Sequence, residues 1–367
     1  MNCYLEAVKD ENDKLVWHNE LGEYLQKCLF EIKPKLTFSF LNFGGAITEL
    51  SFLHPKTNQK LDIILGYHNY RDYFNNNCYF GALIGRFANR IANSCFNFQG
   101  KSVKLTANSG AHHIHGGSHG LSFSFWNIEI IKSSSTDFIA ELTYQDKQKP
   151  NSYLGDVDFT VRYHLLCHLD DDKYQLKVSF NALPHQPGIL NLTLHPYFNL
   201  AGHDRKTLDN HSFQIFGDKI AENNQAHLPT GKTIDVTGTS MDLRQAKTYK
   251  HIKDNKQGLV DELDGFDFHY FIGEARINKK MAVVEESSVG LKMEISSTLP
   301  GIQFYNALNL DVANGKNNTH YSPRKSFCLE PQFAPASIFK NGIDYPSIVF
   351  SRDKPYNHTI TYDFSFT

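Results

Sequence analysis

Asn191-Leu192-Thr193-Leu194-His195-Pro196-Tyr197-Phe198-Asn199-Leu200 is the stretch on which the reading of this chain turns. Taken as a strand, it sends Leu190, Leu192 and Leu194 to one face and Asn191, Thr193 and His195 to the other. The leucines predict a core, and the polar row predicts contact with something wet. Pro196 has no backbone donor and holds the preceding residue extended, so His195 is expected where the strand stops, at the lip of a cavity. Taken alone, such a residue is more often a structural histidine with satisfied hydrogen bonds.

Ser326-Phe327-Cys328-Leu329-Glu330-Pro331 repeats the design. Phe327 and Leu329 alternate against Ser326, Cys328 and Glu330, and a proline again follows the ionisable residue, which predicts a carboxylate at a strand end. An imidazole and a carboxyl, with ordinary pKa values of about 6.5 and about 4.3, bracket neutrality. An acid and a base can then coexist, which suits a reaction that gives one proton and takes another.

The 367 residues are enough for a large core, and 28 Phe with 18 Tyr favour strands over helices. The net charge of -2 comes from acids and bases scattered along the chain, with no basic block to hold nucleic acid or an anionic membrane. A small, neutral partner is expected. Six cysteines (Cys3, Cys28, Cys78, Cys95, Cys167, Cys328) show no C-x-x-C spacing and are too sparse for a disulfide scaffold. There is no signal-peptide-like apolar run in Met1 to Lys14 and no apolar run of about 18 residues anywhere. A soluble cytoplasmic protein is expected.

Period-two alternation recurs along the chain. Leu36 to Phe43 and Ala46 to Leu53 flank a kink at Gly44-Gly45, and Leu61 to Gly66 reads as a buried strand. His68 to Asn77 reads as a loop with one helical turn, and Phe96 to Leu105 as a hairpin turning at Gln99-Gly100. Short strands follow at Trp126 to Ile131, Asp137 to Tyr144, Phe159 to Leu166 and Tyr174 to Asn181, the last two joined by the solvated turn Leu169 to Lys173. His211 to Phe216 is a strand, Leu228-Pro229-Thr230-Gly231 a loop, and Ala246 to Lys256 a short helix or a 3₁₀ turn. Asp264 to Ile272 leads into a strand with Asp267 near its start. Met281 to Glu285 with Leu291 to Thr298 forms a hairpin, Ile302 to Leu308 another strand, and His358 to Phe366 the last. No linker or charge block divides the chain, so one domain spanning 1–367 is expected: an all-β, large antiparallel β-sandwich with few short helices.

Several polar residues have two uses open. Arg86 and Arg90, four apart in Gly81 to Ala92, can anchor a loop to carboxylates or reach into a site as a planar fork. In His112-His113-Ile114-His115-Gly116-Gly117-Ser118-His119, an extended chain would put His113 and His115 on one face as a pair of metal ligands, but no third ligand stands at a recognisable spacing. Hydrogen bonding or packing is the simpler role. Asp267 is a turn former or a ligand contact.

Seven segments together resemble the aldose 1-epimerase (galactose mutarotase) family. They are Gly85 to Ala92, His115-Gly116-Gly117, Asn191-Leu192-Thr193 with His195, Tyr197 to Leu200, Gly265-Phe266-Asp267, Pro300 to Tyr305, and Cys328-Leu329-Glu330 with Gln332. They occur in the family's order from about residue 35 onward. The resemblance implies a galactose mutarotase-like supersandwich, no metal or cofactor, and interconversion of the α and β anomers of a free aldohexose such as galactose or glucose. It implies Glu330 as general base and His195 as general acid, with Arg90, His115, Asp267, Asn89 and Gln303 holding the sugar. It also implies a monomer or weak homodimer. Leu194, Pro196, Phe268 and His112 depart from the usual pattern near these residues. The alternatives are a hexose-phosphate epimerase, which would need several cations for the phosphate, a non-catalytic sugar-binding module on the same fold, and a metal enzyme built on His113 and His115.

Overall fold

Three long strands, Val157–His168, Lys173–Pro184 and Tyr356–Phe366, carry the strongest alternation in the chain, and they lie side by side at the middle of its largest sheet. In each, every second side chain is buried, up to Phe364 in the last, and the intervening ones are partly or fully exposed, as expected of strands with one face on a core. The computed structural model describes residues 1–16, 22–263, 265–340, 342 and 344–367. The large sheet has nine antiparallel strands in the order Asn127–Ser133, Asp137–Asp146, Val157–His168, Lys173–Pro184, Tyr356–Phe366, Leu291–Ser297, Lys279–Glu286, His211–Ile215 and Lys247–Thr248.

Two five-stranded antiparallel sheets complete the sandwich. One runs Asn2–Ala7, Gln26–Ile32, Leu36–Leu41, Ile47–Leu53 and Lys60–Asp62. It packs on the large sheet through aromatic rings: Phe30 stacks on Phe138 at 4.7 Å, Phe40 meets Tyr163 edge-on at 4.9 Å, and Phe52 lies 4.8 Å from Tyr174. The other runs Pro229–Asp235, Lys219–Asn223, Asp267–Phe271, Gly301–Tyr305 and Cys328–Gln332. Phe304 meets Phe213 of the large sheet at 5.0 Å, and Phe327, just before the last strand, meets Phe213 at the same distance. A single buried apolar cluster extends through all three sheets, from Cys28 to Phe364.

The β-sandwich and most of its strands match expectation. The Gly44-Gly45 kink is present, both glycines having positive φ, and the 3₁₀ turn Tyr70–Asn75 and the helix Tyr249–Asp254 fall where turns of helix were expected. Four expectations need correction. Leu61 to Gly66 is extended only at its start, in Lys60–Asp62, although Ile63, Ile64 and Leu65 are buried. Leu228 to Gly231 is not a loop, because Pro229–Asp235 is an edge strand paired only with Lys219–Asn223, where a proline is tolerated. Asn191 to Leu200 pairs regularly only at Thr193–Leu194, against Leu83–Ile84, and its polar row is not wet: Asn191, Thr193 and His195 are all buried. Glu330 is not at a strand end. It sits in the middle of Cys328–Gln332, the outermost strand of its sheet, which accommodates Pro331. The strands Asn2–Ala7, Gln26–Ile32 and Lys219–Asn223 were not anticipated, and Asp264 lies outside the described residues.

Candidate active site

The ladder Asp267–Phe271, Gly301–Tyr305, Cys328–Gln332 presents two faces. Phe268, Tyr270, Ile302, Phe304 and Leu329 belong to the core. In register, His269 opposes Gln303 and Gln303 opposes Glu330, and directly opposed residues share a face. Asp267, two residues before His269, lies on that face too. Asp267, Gln303 and Glu330 therefore stand in a row on rigid strands, fixed by the same alternation that buries the phenylalanines.

His195 arrives from the facing segment. Its N–H donates to Ala82 O and its carbonyl accepts from Gly81 N, both at 3.0 Å, which pins the backbone to the loop that carries the two arginines. The ring stacks on Tyr197 at 5.0 Å, meets His115 edge-on at 5.1 Å and lies 6.2 Å from Tyr79. Nε2 is 3.6 Å from Glu330 Oε1, and Nδ1 is 3.6 Å from Cys328 Sγ. At 3.6 Å the imidazole and carboxyl are neighbours without a hydrogen bond between them, so both keep their bonding capacity. Oε2 of Glu330 has no partner among the described residues, although the residue is 2% exposed.

The sugar-holding residues expected from the resemblance converge on this pair. Arg90 Nη1 donates to Asp267 Oδ2 at 3.2 Å, and Gln303 Nε2 donates to Asp267 Oδ1 at 2.7 Å. Asn89 and His115 both have positive φ and clasp each other: Asn89 N donates to His115 Nδ1 and His115 N donates to Asn89 O, each at 3.2 Å. Because Nδ1 accepts a backbone proton, the neutral ring carries its hydrogen on Nε2 and can donate from there. Gly116 makes the turn possible. It has φ +88, and a Cβ there would lie 1.8 Å from Gly85 O.

The two arginines divide the uses left open. Arg86 is 3% exposed and anchors a loop, donating through Nε to Asp146 Oδ2 at 2.7 Å and through Nη1 to the carbonyls of Gly155 and Leu154 at 2.7 and 3.1 Å. Arg90 reaches the site. His113 and His115 do not share a face, because the strand ends at Ile114 and His115 turns into the left-handed region. Both ring nitrogens of His113 are engaged, Nδ1 with Thr106 O at 2.7 Å and Nε2 with Tyr153 OH at 2.8 Å. No group of three potential metal ligands occurs among the described residues. Leu194 and Phe268 pack in the core, and His112 accepts from Asn93 N at 3.0 Å.

Burial sets the charge states. It lowers His195 to about 4 and lowers His115 well below the usual imidazole range, His195 and Arg90 adding to the latter. Burial also raises Glu330 well above the carboxylate range; the Asp267 charge adds to the rise and Arg90 opposes it. The pair is thus drawn toward neutral imidazole and neutral carboxyl, where the sequence suggested imidazolium beside carboxylate. Both arrangements hold one proton between the two groups, and they differ by its transfer.

Other side chains at this site lay beyond the sequence reading. His227, on a turn made by Asn224, holds Nδ1 3.6 Å from Asp267 Oδ2, and Asn223 Nδ2 donates to Asp267 O at 3.0 Å. Tyr79 packs against both His115 and His195. Nothing local in the sequence marks these. His269 shares the polar face of the ladder with Cys328 and Gln332 and could have been found from its alternation, as Cys328 was.

Comparison with known proteins follows this geometry. The family model described as aldose 1-epimerase matches residues 29–363. The galactose mutarotase of Sus scrofa is 30% identical over 333 residues, 90% of this chain and 92% of that protein. The Homo sapiens galactose mutarotase is 30% identical over 332 residues, 90% and 91% of the two chains. An aldose 1-epimerase of Escherichia coli is 29% identical over 279 residues, 75% and 77%. Among solved structures, a GalM/aldose epimerase homologue from C. elegans superimposes with a TM-score of 0.79 at 28% identity, covering 92% of this chain and 98% of that one. A galactose 1-epimerase from Lactobacillus acidophilus shares the fold with a TM-score of 0.79 at 19% identity, covering 100% and 99%.

Proposed function

The chain belongs to the aldose 1-epimerase family and is an isomerase of that kind, and from this premise we propose that it interconverts the α and β anomers of free aldohexoses, galactose and glucose among them, with Glu330 as base and His195 as acid. The observation that carries the assignment of roles is the 3.6 Å approach of His195 Nε2 to Glu330 Oε1, with Oε2 left unpartnered among the described residues. The ring oxygen and the anomeric hydroxyl of a pyranose hang on one carbon, so an acid and a base this close can each address one of them.

The step balances without an outside reactant. Glu330 takes the proton of the C1 hydroxyl, the C1–O1 bond becomes a carbonyl, the C1–O5 bond breaks, and O5 takes the proton of His195. The products are the open aldehyde, a neutral carboxyl and a neutral imidazole, which are the charge states burial favours. Rotation about C1–C2 presents the other carbonyl face. On closure the imidazole takes the C5 hydroxyl proton and the carboxyl returns its own to O1, giving the other anomer.

Arg90, Asp267, Gln303, His115 and Asn89 are assigned to holding and orienting the hydroxyls. The polar inventory supports an uncharged sugar: the guanidinium of the cluster is already paired with Asp267. Arg90 also favours ionised Glu330, which readies the base. The continuous core supports treating residues 1–367 as one domain. Among the described residues no helix is long and apolar enough to cross a membrane. Polarimetry on freshly dissolved α-galactose tests the roles: His195→Ala should lower kcat by about 10² to 10⁴-fold with the fold intact, and an unchanged rate would end the assignment.

A further inference from the structure

A wide cleft lies apart from the site described above. It has a volume of about 1180 Å³ and lies among Glu49, Lys60, Asp62, the loop from Ala201 to Thr207, the turn at Glu286 to Val289, and Lys316. None of the seven residues assigned to catalysis or sugar holding lines it.

Its floor is chemically organised. Lys316 Nζ donates to Asp62 Oδ2 at 2.7 Å and to Ile64 O at 2.6 Å, with the two side chains only 14% and 17% exposed. An ammonium has three protons, so one remains for a ligand. His203, 9% exposed, engages Tyr321 OH through Nδ1 at 3.0 Å, leaving Nε2 for a ligand, and burial lowers its pKa, so the ring is neutral at pH 7. Keeping a cation and a carboxylate half out of water costs desolvation that an apolar pair would not. The same three groups, a cation bridged to a carboxylate beside a buried neutral imidazole, make up the Arg90, Asp267 and His115 set of the catalytic pocket.

We propose that this cleft is a second, non-catalytic binding site for neutral carbohydrate. Four carboxylates and four cations line it, so it offers no net charge to a phosphate or a polyanion, while paired donors and acceptors suit adjacent hydroxyls. Tyr67 and Tyr70 add aromatic surface to its wall. The volume exceeds the usual range for a small-ligand pocket, roughly 300 to 1,000 Å³, which favours a chain of two or more rings over a single pyranose.

The test is an NMR titration of the full chain with D-galactose and with maltose, following the imidazole signals of His203 and His195, with mutarotation of each sample measured by polarimetry. Expected are two independent isotherms, the His203 one tighter for maltose than for galactose, and retained when His195 is replaced by Ala. In His203→Leu, calorimetric titration with maltose should lose the second binding event, with mutarotation within about twofold of wild type. If that variant does not fold, Lys60→Ala at the exposed rim should weaken the second isotherm several-fold. A His203 signal unmoved by roughly 100 mM of either sugar, about a hundredfold above a 1 mM affinity, overturns the proposal whatever the polarimeter shows. A moving His203 signal in a chain without mutarotase activity would uphold it and sink the catalytic assignment instead.

Discussion

Replacing Glu330 by Gln should make the protein less active and more stable at once. Gln keeps the shape and cannot take a proton, so the loss is that of a general base, about 10² to 10⁴-fold in kcat, or ~2.7 to 5.4 kcal/mol of barrier at 1.36 kcal/mol per tenfold. The stability gain follows from the same burial. Glu330 is 2% exposed, Oε2 lacks a partner among the described residues, and its folded pKa is raised by burial and by Asp267. In the unfolded chain the carboxyl releases its proton near pH 4.3, whereas the native state holds it to higher pH. Between those two values the native state binds more protons, so stability falls as pH rises, and the deficit persists above both. Gln has no such deficit. Thermal unfolding at a series of pH values should therefore show Glu330→Gln level with wild type near pH 4 to 5 and more stable by pH 8. A gap that does not widen with pH, or a Gln variant less stable at pH 8, refutes the buried-carboxyl reasoning; wild-type mutarotation in that variant refutes the base.

The two arginines should fail differently: Arg86→Met breaks a buried, fully bonded pair with Asp146 and should cost about 3 to 5 kcal/mol in urea denaturation, while Arg90→Lys should raise KM with little change in the unfolding midpoint. Gly116→Ala forces a Cβ against Gly85 O at positive φ, so a loss on the order of 3 kcal/mol or more is expected, together with reduced activity as His115 is displaced; an unperturbed melt would contradict the geometry. Burial lowers His211 and His269 to about 3 and His358 to about 4, so the unfolded chain gains protons below about pH 6.5 that the native chain refuses, and stability should drop as pH falls from there. His269, whose two ring nitrogens lack partners among the described residues, should be the clearest case: His269→Leu should shift acid unfolding, followed by circular dichroism, to lower pH.

The long strands could be read from the sequence because water and core lie on opposite sides of them, as in Val157–His168 and Lys173–Pro184. Cys328–Gln332 is buried on both sides, yet its alternation survived because one side is core and the other is the site. That contrast is why Glu330 was legible while its charge state was not: that depends on burial, and on Asp267 and Arg90, remote in the chain. The separate duties of Arg86 and Arg90 rest on Asp146 and Asp267, which no local pattern connects to them. His227 reaches the site only through the turn at Asn224, and Pro229 looked like a loop because a lone edge strand was not foreseen.

Because Asp267, Gln303 and Glu330 ride on one continuous ladder, they move together or not at all. A slip of a single residue between those strands would turn the whole polar row inward and swing phenylalanines into the sugar's place. Competence for chemistry is thus coupled to pairing of the backbone, and amide exchange along Gly301–Tyr305 would serve as a direct gauge of how often the catalyst is briefly out of order.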